Sequence, residues 1–419
     1  MKRVICGTGR KSGYSFRSSV AGGHYLLPAG RWPNRPGSAA FRPCPVDQEI
    51  TPAGFLKPGS CYSASWLLSS ALYNYRGNIH VHSLYSDGSG SIGEIAADAA
   101  AAGLDYVIIA DHQTLDGLPE ESIRHGVTVI VGVEINRPHS HYLALGIKEN
   151  ILPHHEDPQQ VIDQVNEAGG FGFIAHPFEK GSRYLEKGKA YPWKIWPVFG
   201  FQGFEIWNYT SHWRGRHPSL LKTLYWFLFD RKGAMDGPPR ETLQLWDCYN
   251  VHRGRTVGIG SSDAHAFPYN LGLFRVKVFT YRYAFTTINT YVVLEQPLSR
   301  DFEPAKKQIL EALRSGSCYF SFDSLHQAED FRCYAAAAQR AVKMGGEVAL
   351  EEKPALHVKA PSQRAQVRII HNGRLIKKAE APELVFPLPG PGVYRAEVYF
   401  RPRLKEARPW IYANPVFVR

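Results

Sequence analysis

The chain of 419 residues contains only six cysteines, at positions 6, 44, 61, 248, 318 and 333, and no two of them form a Cys-x-x-Cys pair. Cysteines this sparse and scattered favour buried free thiols in a reducing compartment over a disulfide framework or a cysteine-based zinc site. Long apolar runs are also missing. The longest candidate, Ala64 to Tyr73, is too short for the roughly twenty residues a membrane span requires. No continuous apolar core of a secretory signal stands near the amino terminus, so the expected location is cytoplasmic.

Acidic residues are absent from positions 1–46, which hold eight Lys and Arg, whereas positions 47–419 hold 41 basic against 38 acidic residues. The formal charge of +11 therefore belongs mostly to an amino-terminal arm. A nearly balanced body does not favour nucleic acid as a partner, although the arm alone has the charge to touch nucleic acid or anionic lipid. The plainer expectation is a solvated, partly irregular extension over residues 1–60, rich in Gly, Pro, Ser and Arg. Its acid-poor makeup resembles that of an organellar transit peptide, but no amphipathic period accompanies it.

What is present is globular in composition, 44% hydrophobic and 21% charged, and long enough for two or three domains. From Asn78 onward, short apolar runs alternate with helix patterns. Strands are expected at Asn78–Val81, Tyr106–Ala110, Val127–Val133, His141–Ile147, Phe171–Ala175, Gly203–Trp207 and Thr256–Gly260, and helices at Ser91–Ala102 and Pro158–Ala168. Fully apolar strands separated by amphipathic helices indicate an α/β fold with a parallel sheet covered on both faces, and their repetition suggests a barrel over residues 61–335. From residue 340 to 419 the pattern becomes all-β. Five short strands, at Ala355–Ala360, Gln366–His371, Glu383–Pro387, Gly392–Phe400 and Trp410–Val418, with turns such as Asn372-Gly373, are read as a small sandwich-like domain.

The chemistry-bearing residues cluster at the ends of the apolar runs. His80 and His82, Asp111 and His112, Glu134, His176, and Asp263 and His265 all stand at or just past a strand's carboxyl end. In a parallel barrel those ends converge on one face. In His80-Val81-His82 the two-residue period sends both imidazoles to the same side. Buried without partners, such groups would cost several kcal/mol apiece, so packing does not explain five of these motifs. Imidazoles joined by carboxylates suit two or three divalent ions of the Zn, Mn or Fe kind. By contrast, His125, His217, His252, His326, His357 and His371 are isolated and are read as structural histidines.

Taken in order, His80-Val81-His82, Ser86-Asp87-Gly88, Ala110-Asp111-His112, Gly132-Val133-Glu134, Ala175-His176-Pro177 and Ser262-Asp263-Ala264-His265 resemble the PHP (polymerase and histidinol phosphatase) superfamily over about residues 76–330. The flanking sequence and the carboxyl-terminal β region are closer to its stand-alone metallohydrolases. The resemblance implies a distorted seven-stranded β/α barrel. It also implies that His80, His82, Glu134 and Asp263 hold one ion, that Glu134 bridges to a second ion held with His176 and an intervening histidine, and that Asp87, His112 and His265 hold a third. Asp111 would orient a ligand through its ring N–H. His139 and His141 both qualify as the intervening histidine. His141 is preferred because it begins the apolar run, which leaves His139 to contact substrate.

Glu205 sits inside an apolar run and is expected to serve the barrel structurally rather than as a ligand. The segment from Gly181 to Trp196, with Arg183, Lys187, Lys194 and several aromatics, could form a basic lid over an anionic substrate; an ordinary solvated loop explains it equally well. The implied function is a metal-dependent phosphoesterase acting on a small phosphate monoester or diester, a nucleotide being one candidate, through a metal-activated water. His265 and His112 are the candidates to deliver a proton to the leaving group. A metallohydrolase of a carboxylic ester, carbamate or amide is the rival, and an inactive metal-binding scaffold is a third reading that the complete set of motifs opposes. An oligomer is compatible with all of these.

Overall fold

A computed structural model describes residues 72–419, apart from 136–138, 155, 183–187, 217–218, 272–273, 338–339 and 404. The expected arm at 1–60, and the proposed substrate contacts Arg183 and Lys187, lie outside the described residues.

The first part of the chain carries β1 (Tyr73–Val81), β2 (Tyr106–His112), β3 (Ser122–Arg124), β4 (Val127–Ile135), β5 (Tyr142–Leu145), β6 (Phe171–Ile174), β7 (Gly203–Asn208) and β8 (Val257–Ser261). Seven of them lie side by side in the order β1-β2-β4-β5-β6-β7-β8. Every residue of β4, β5, β6, β7 and β8 is buried, which is why these segments read as continuous apolar runs. The intervening helices start where the sequence signals them. Ser91 and Glu94 form a capping box at the start of the helix Ile92–Ala101, and Asp157 caps the helix Pro158–Glu167, which has proline in its first turn.

Two expectations are corrected. The sheet is not wholly parallel, because β5 runs antiparallel to both β4 and β6. Only residues 136–141 connect β4 to β5, fewer than the roughly dozen a parallel crossover needs. Nor is the sheet closed into a barrel by a strand ladder. The far edge of β1 is taken by β11 (Ile288–Leu294), after the hairpin of β9 (Pro268–Leu271) and β10 (Phe274–Lys277). Among the described residues, strand pairing between the ends of the seven-strand run is limited to one isolated bridge, Val81 to Ala264. Side chains stand where a ladder would be. Thr290 Oγ1 accepts from Gly260 N (3.0 Å) and donates to its carbonyl (2.6 Å), while Asn414 accepts from Gly258 N (2.7 Å) and donates to its carbonyl (2.9 Å).

The sheet continues through β11 to β12 (Cys318–Phe322), and from there into the carboxyl-terminal β region. That region comprises β13 (Arg332–Ala336), β14 (Ala341–Lys343), β15 (Glu347–Val348), β16 (Ala355–Lys359), β17 (Ala365–His371), β18 (Arg374–Ala379), β19 (Glu383–Pro387), β20 (Gly392–Phe400), β21 (Arg408–Ala413) and β22 (Val416–Val418). β21 pairs with β12, so one sheet runs through both parts of the chain. A second, four-stranded sheet (β14-β13-β16-β19) faces it across a shared core that includes Cys333, Leu356 and Val358 from one side and Val367, Val398 and Ile411 from the other.

Candidate metal centre

The curved strand order brings the sequence-predicted residues to one rim. β5 runs backwards, and its first residue Tyr142 pairs with Ile135 at the end of β4 and with Ile174 at the end of β6. His141 therefore reaches the same edge as Glu134 and His176 despite the reversal. Three of the candidate ligands at this rim have left-handed backbone that side chains rarely adopt: His80 (φ 69°), His176 (φ 27°) and Asp263 (φ 53°). Such conformations are held by their surroundings and concentrate at functional sites. His80 lies where the register between β1 and β2 shifts, and this irregularity sets its ring 5.1 Å from that of His82.

Glu134 is the hub. Its Oε2 lies 3.1 Å from His80 Nε2, 3.5 Å from His82 Nε2 and 3.0 Å from His112 Nδ1. Its Oε1 lies 2.6 Å from His141 Nδ1 and 3.3 Å from His176 Nε2. Asp263 Oδ1 is 3.5 Å from His80 Nε2 and 3.3 Å from His82 Nε2. Asp87, on the loop after β1, reaches His265 Nε2 at 3.2 Å and His112 Nε2 at 3.8 Å. Gly88 makes this approach feasible, since a Cβ there would run into the His82 carbonyl. The loop is tied down by Tyr281, whose hydroxyl donates to His82 O (2.8 Å) and accepts from Ser89 N (3.0 Å). His265 is stacked between His82 (4.0 Å between ring centres) and Phe267 (4.5 Å).

These residues fit divalent ions. Three groups have ligand atoms within 4.8 Å of one another: His82, Asp87, His112 and His265; His80, His82 and Asp263; His80, Glu134 and His176. Among the described residues, buried nitrogens of His80, His82, His112, His141 and His176 have no hydrogen-bond partner, a cost that a bound cation would remove. The charge balance agrees. Burial alone would lower the pKa of His80, yet Asp263, Glu134 and Glu205 carry it well above the ordinary range, so the surroundings of this ring are short of positive charge. Burial and the neighbouring His265 push His82 down to about 3, leaving it neutral as a ligand must be. Burial works to raise Asp87, but His265, His82 and His112 bring it down to about 2.

Some placements depart from the sequence reading. The Asp111 carboxylate accepts from Ser83 N (2.7 Å) and from the hydroxyls of Ser83 and Ser86, rather than from a histidine ring. It shapes the Asp87 loop instead. Glu205, expected to be structural, accepts from His80 Nδ1 (2.8 Å), His176 N (2.8 Å) and Asn208 Nδ2 (3.0 Å), and from the Ser261 hydroxyl. A carboxylate in the middle of the all-buried strand β7 was the available signal, because burial there demands partners. Two further residues complete these contacts. Asn208 Nδ2 also reaches Asp263 (3.2 Å), and buried Glu179 lies 3.6 Å from His176 Nδ1 while accepting from Arg214 (2.8 Å) and Tyr191 N (3.0 Å). His139 Nε2 meets Lys194 Nζ at 3.0 Å, and no contact of His139 with Glu134 is found among the described residues.

Comparison with known proteins agrees with the motifs. Residues 78–187 match the family model described as "PHP domain". An uncharacterized protein of Methanocaldococcus jannaschii is 27% identical over 117 residues, which cover 25% of this chain and 68% of that protein. Among solved structures, a two-domain protein from Bacteroides vulgatus, described as containing a predicted PHP-like metal-dependent phosphoesterase, is 14% identical, with 82% of this chain and 87% of that one covered and a TM-score of 0.37. An amidohydrolase from Chromobacterium violaceum with bound sulfate is 17% identical, with 45% and 87% covered and a TM-score of 0.27. The matched segment, residues 78–187, contains His80, His82, Asp87, His112, Glu134, His141 and His176, and in it the chain is similar to the PHP domain family.

Proposed function

We propose that this chain is a metal-dependent hydrolase that cleaves a phosphate monoester or diester. The observation that carries the reading is the Glu134 carboxylate, whose two oxygens divide five imidazoles between them. His80, His82, Glu134 and Asp263 would hold one divalent ion, Glu134, His141 and His176 a second, and Asp87, His112 and His265 a third. When bound, such ions lower the pKa of water and neutralise charge developing on a phosphorus centre.

The remaining tasks fall to the chain. His112 is partly exposed and His265 sits beside Asp87, half of whose side chain is open to solvent, so both can reach a leaving group and deliver a proton to it. Lys194 and His139 offer donors to an anion at the rim. Glu205 and Asn208 hold His80 and Asp263 in position.

The test is turnover of p-nitrophenyl phosphate, bis-p-nitrophenyl phosphate and p-nitrophenyl acetate by the purified protein, supplied with Mn or with Zn. Phosphoester cleavage that disappears with chelator is expected. Acetate turnover without phosphoester turnover would replace this reading by a carboxylic ester, carbamate or amide hydrolase. Stoichiometric metal with no turnover of any substrate would leave a binding scaffold.

A further inference from the structure

We infer that the helix Leu220–Leu228 is a docking surface for an anionic lipid surface. Its sequence is apolar around most of its circumference, yet only one side is packed. Trp226 is buried, and Phe227 packs against Trp213 (6.1 Å between ring centres) and Phe279 (6.1 Å). The opposite side carries Leu221, Leu224, Tyr225 and Leu228, at the three- and four-residue spacing of a helical stripe, and Phe229 extends it. These side chains are 82%, 50%, 54%, 56% and 76% exposed respectively. Single exposed apolar residues need no explanation, but a contiguous stripe marks an interaction surface.

The charge beside the stripe selects the occupant. Lys222 lies over the Trp226 ring (5.0 Å) and Arg231 over the rings of Phe227 (5.2 Å) and Tyr283 (4.9 Å). Lys232 follows Arg231, and Arg282 precedes Tyr283 in sequence. Among the described residues none of these four is paired with a carboxylate, unlike Arg214 and Arg216, which are engaged by Glu179 and Asp236. The nearest acid in sequence, Asp230, is occupied in capping Gly233.

A second copy of the chain suits this face poorly. A two-fold contact sets a patch against itself, and here it would bring Lys222, Arg231 and Lys232 of both copies together. A peptide partner would require a groove, whereas Leu221 and Phe229 stand proud of the surface. A protruding row of Leu, Tyr and Phe rimmed by Lys and Arg is the pattern of a helix lying in a lipid interface, with the rings at headgroup level and the cations over anionic headgroups. The inference is independent of the reaction proposed above.

Its test is co-sedimentation of the full chain with vesicles of phosphatidylcholine, alone or mixed with phosphatidylglycerol. Binding is expected to the mixed vesicles and to fall as salt rises. The double variant Leu221→Asp, Phe229→Asp should lose at least about tenfold in vesicle affinity with an unchanged melting temperature, since both positions are exposed. Lys222→Glu with Lys232→Glu should abolish the preference for phosphatidylglycerol. Equal binding by the double variant would overturn the proposal and assign the affinity to the basic arm at residues 1–46. Failure of the unmodified chain to bind would overturn it too, as would a dimer in sedimentation velocity that the double variant dissolves.

Discussion

The Nδ1 of His80 donates to Oε1 of Glu205 at 2.8 Å, which turns the opposite ring nitrogen toward Glu134 and Asp263. This one contact fixes both the tautomer and the aim of a proposed ligand. Glu205→Gln keeps the size of the side chain but sets an amide donor against N–H groups. Outer partners of this kind typically contribute ten- to hundredfold in metal affinity, and a loss of roughly that size is expected. Chelator-competition titration with Zn measures it, and unchanged affinity would show that Glu205 is merely structural.

His80→Ala and Asp263→Ala each remove atoms from the group formed by His80, His82 and Asp263. Both variants are expected to carry at least one ion fewer by elemental analysis and to lose phosphoesterase activity in parallel. Removing metal from the unmodified protein should also lower its melting temperature, because an ion held at a hundred times its dissociation constant adds about 2.7 kcal/mol. Metal content unchanged in both variants would refute the ligand assignment.

Asp323 offers a pH-dependent prediction away from the proposed ligands. Burial raises its pKa to about 7, against 3.8 for an ordinary aspartate, even though Asn289 and Arg76 work to lower it. The folded state therefore holds the proton more tightly than the unfolded one. The associated stability is complete below pH 3.8 and lost as pH rises through about 7. The span is on the order of 4 kcal/mol. Urea unfolding across this window should show a shallower pH slope for Asp323→Asn; identical slopes would exclude the carboxyl as its source.

Arg395 is buried in β20 and bound to Asp247 at 2.7 Å and 2.8 Å and to Glu397 at 2.7 Å. Asp247 belongs to the helix Arg240–Arg253, so the cluster joins that helix to the carboxyl-terminal β region. Replacing Arg395 by Met keeps much of the volume but leaves two carboxylates without their cation. A loss of roughly 3–5 kcal/mol is expected, read as a lower denaturant midpoint.

The rim was legible because its signal is local. Polar residues that end fully apolar strands, such as His112 on β2 and Glu134 on β4, announce themselves within a few positions. The PHP pattern follows from their order along the chain. What escaped depends on contacts distant in sequence. Glu205 meets His80 across 125 positions, and nothing beside Glu205 says whether its partner is a ligand or a structural donor. The reversal of β5 was encoded in the short connection after Ile135, but its apolar content is the same in either direction. In the β region, Glu383–Pro387 and Gly392–Phe400 emerge as expected. Arg374–Ala379 went unread because its burial is partial and its lysines mask the alternation. The expected strand Trp410–Val418 is broken at Asn414-Pro415, where the asparagine leaves its ladder to bond Gly258.

That asparagine gives the carboxyl-terminal β region a task that requires no ligand. A strand whose amides face open space is a template for another chain. Asn414, with Thr290, occupies that place along β8. A shortened protein that stops ahead of β13 would keep every candidate metal ligand and still lose one of the two plugs on this edge. Its failing would be self-association through the freed edges of β8 and of β12, which loses its partner β21, and the remedy would be to block those edges rather than to build a better active site.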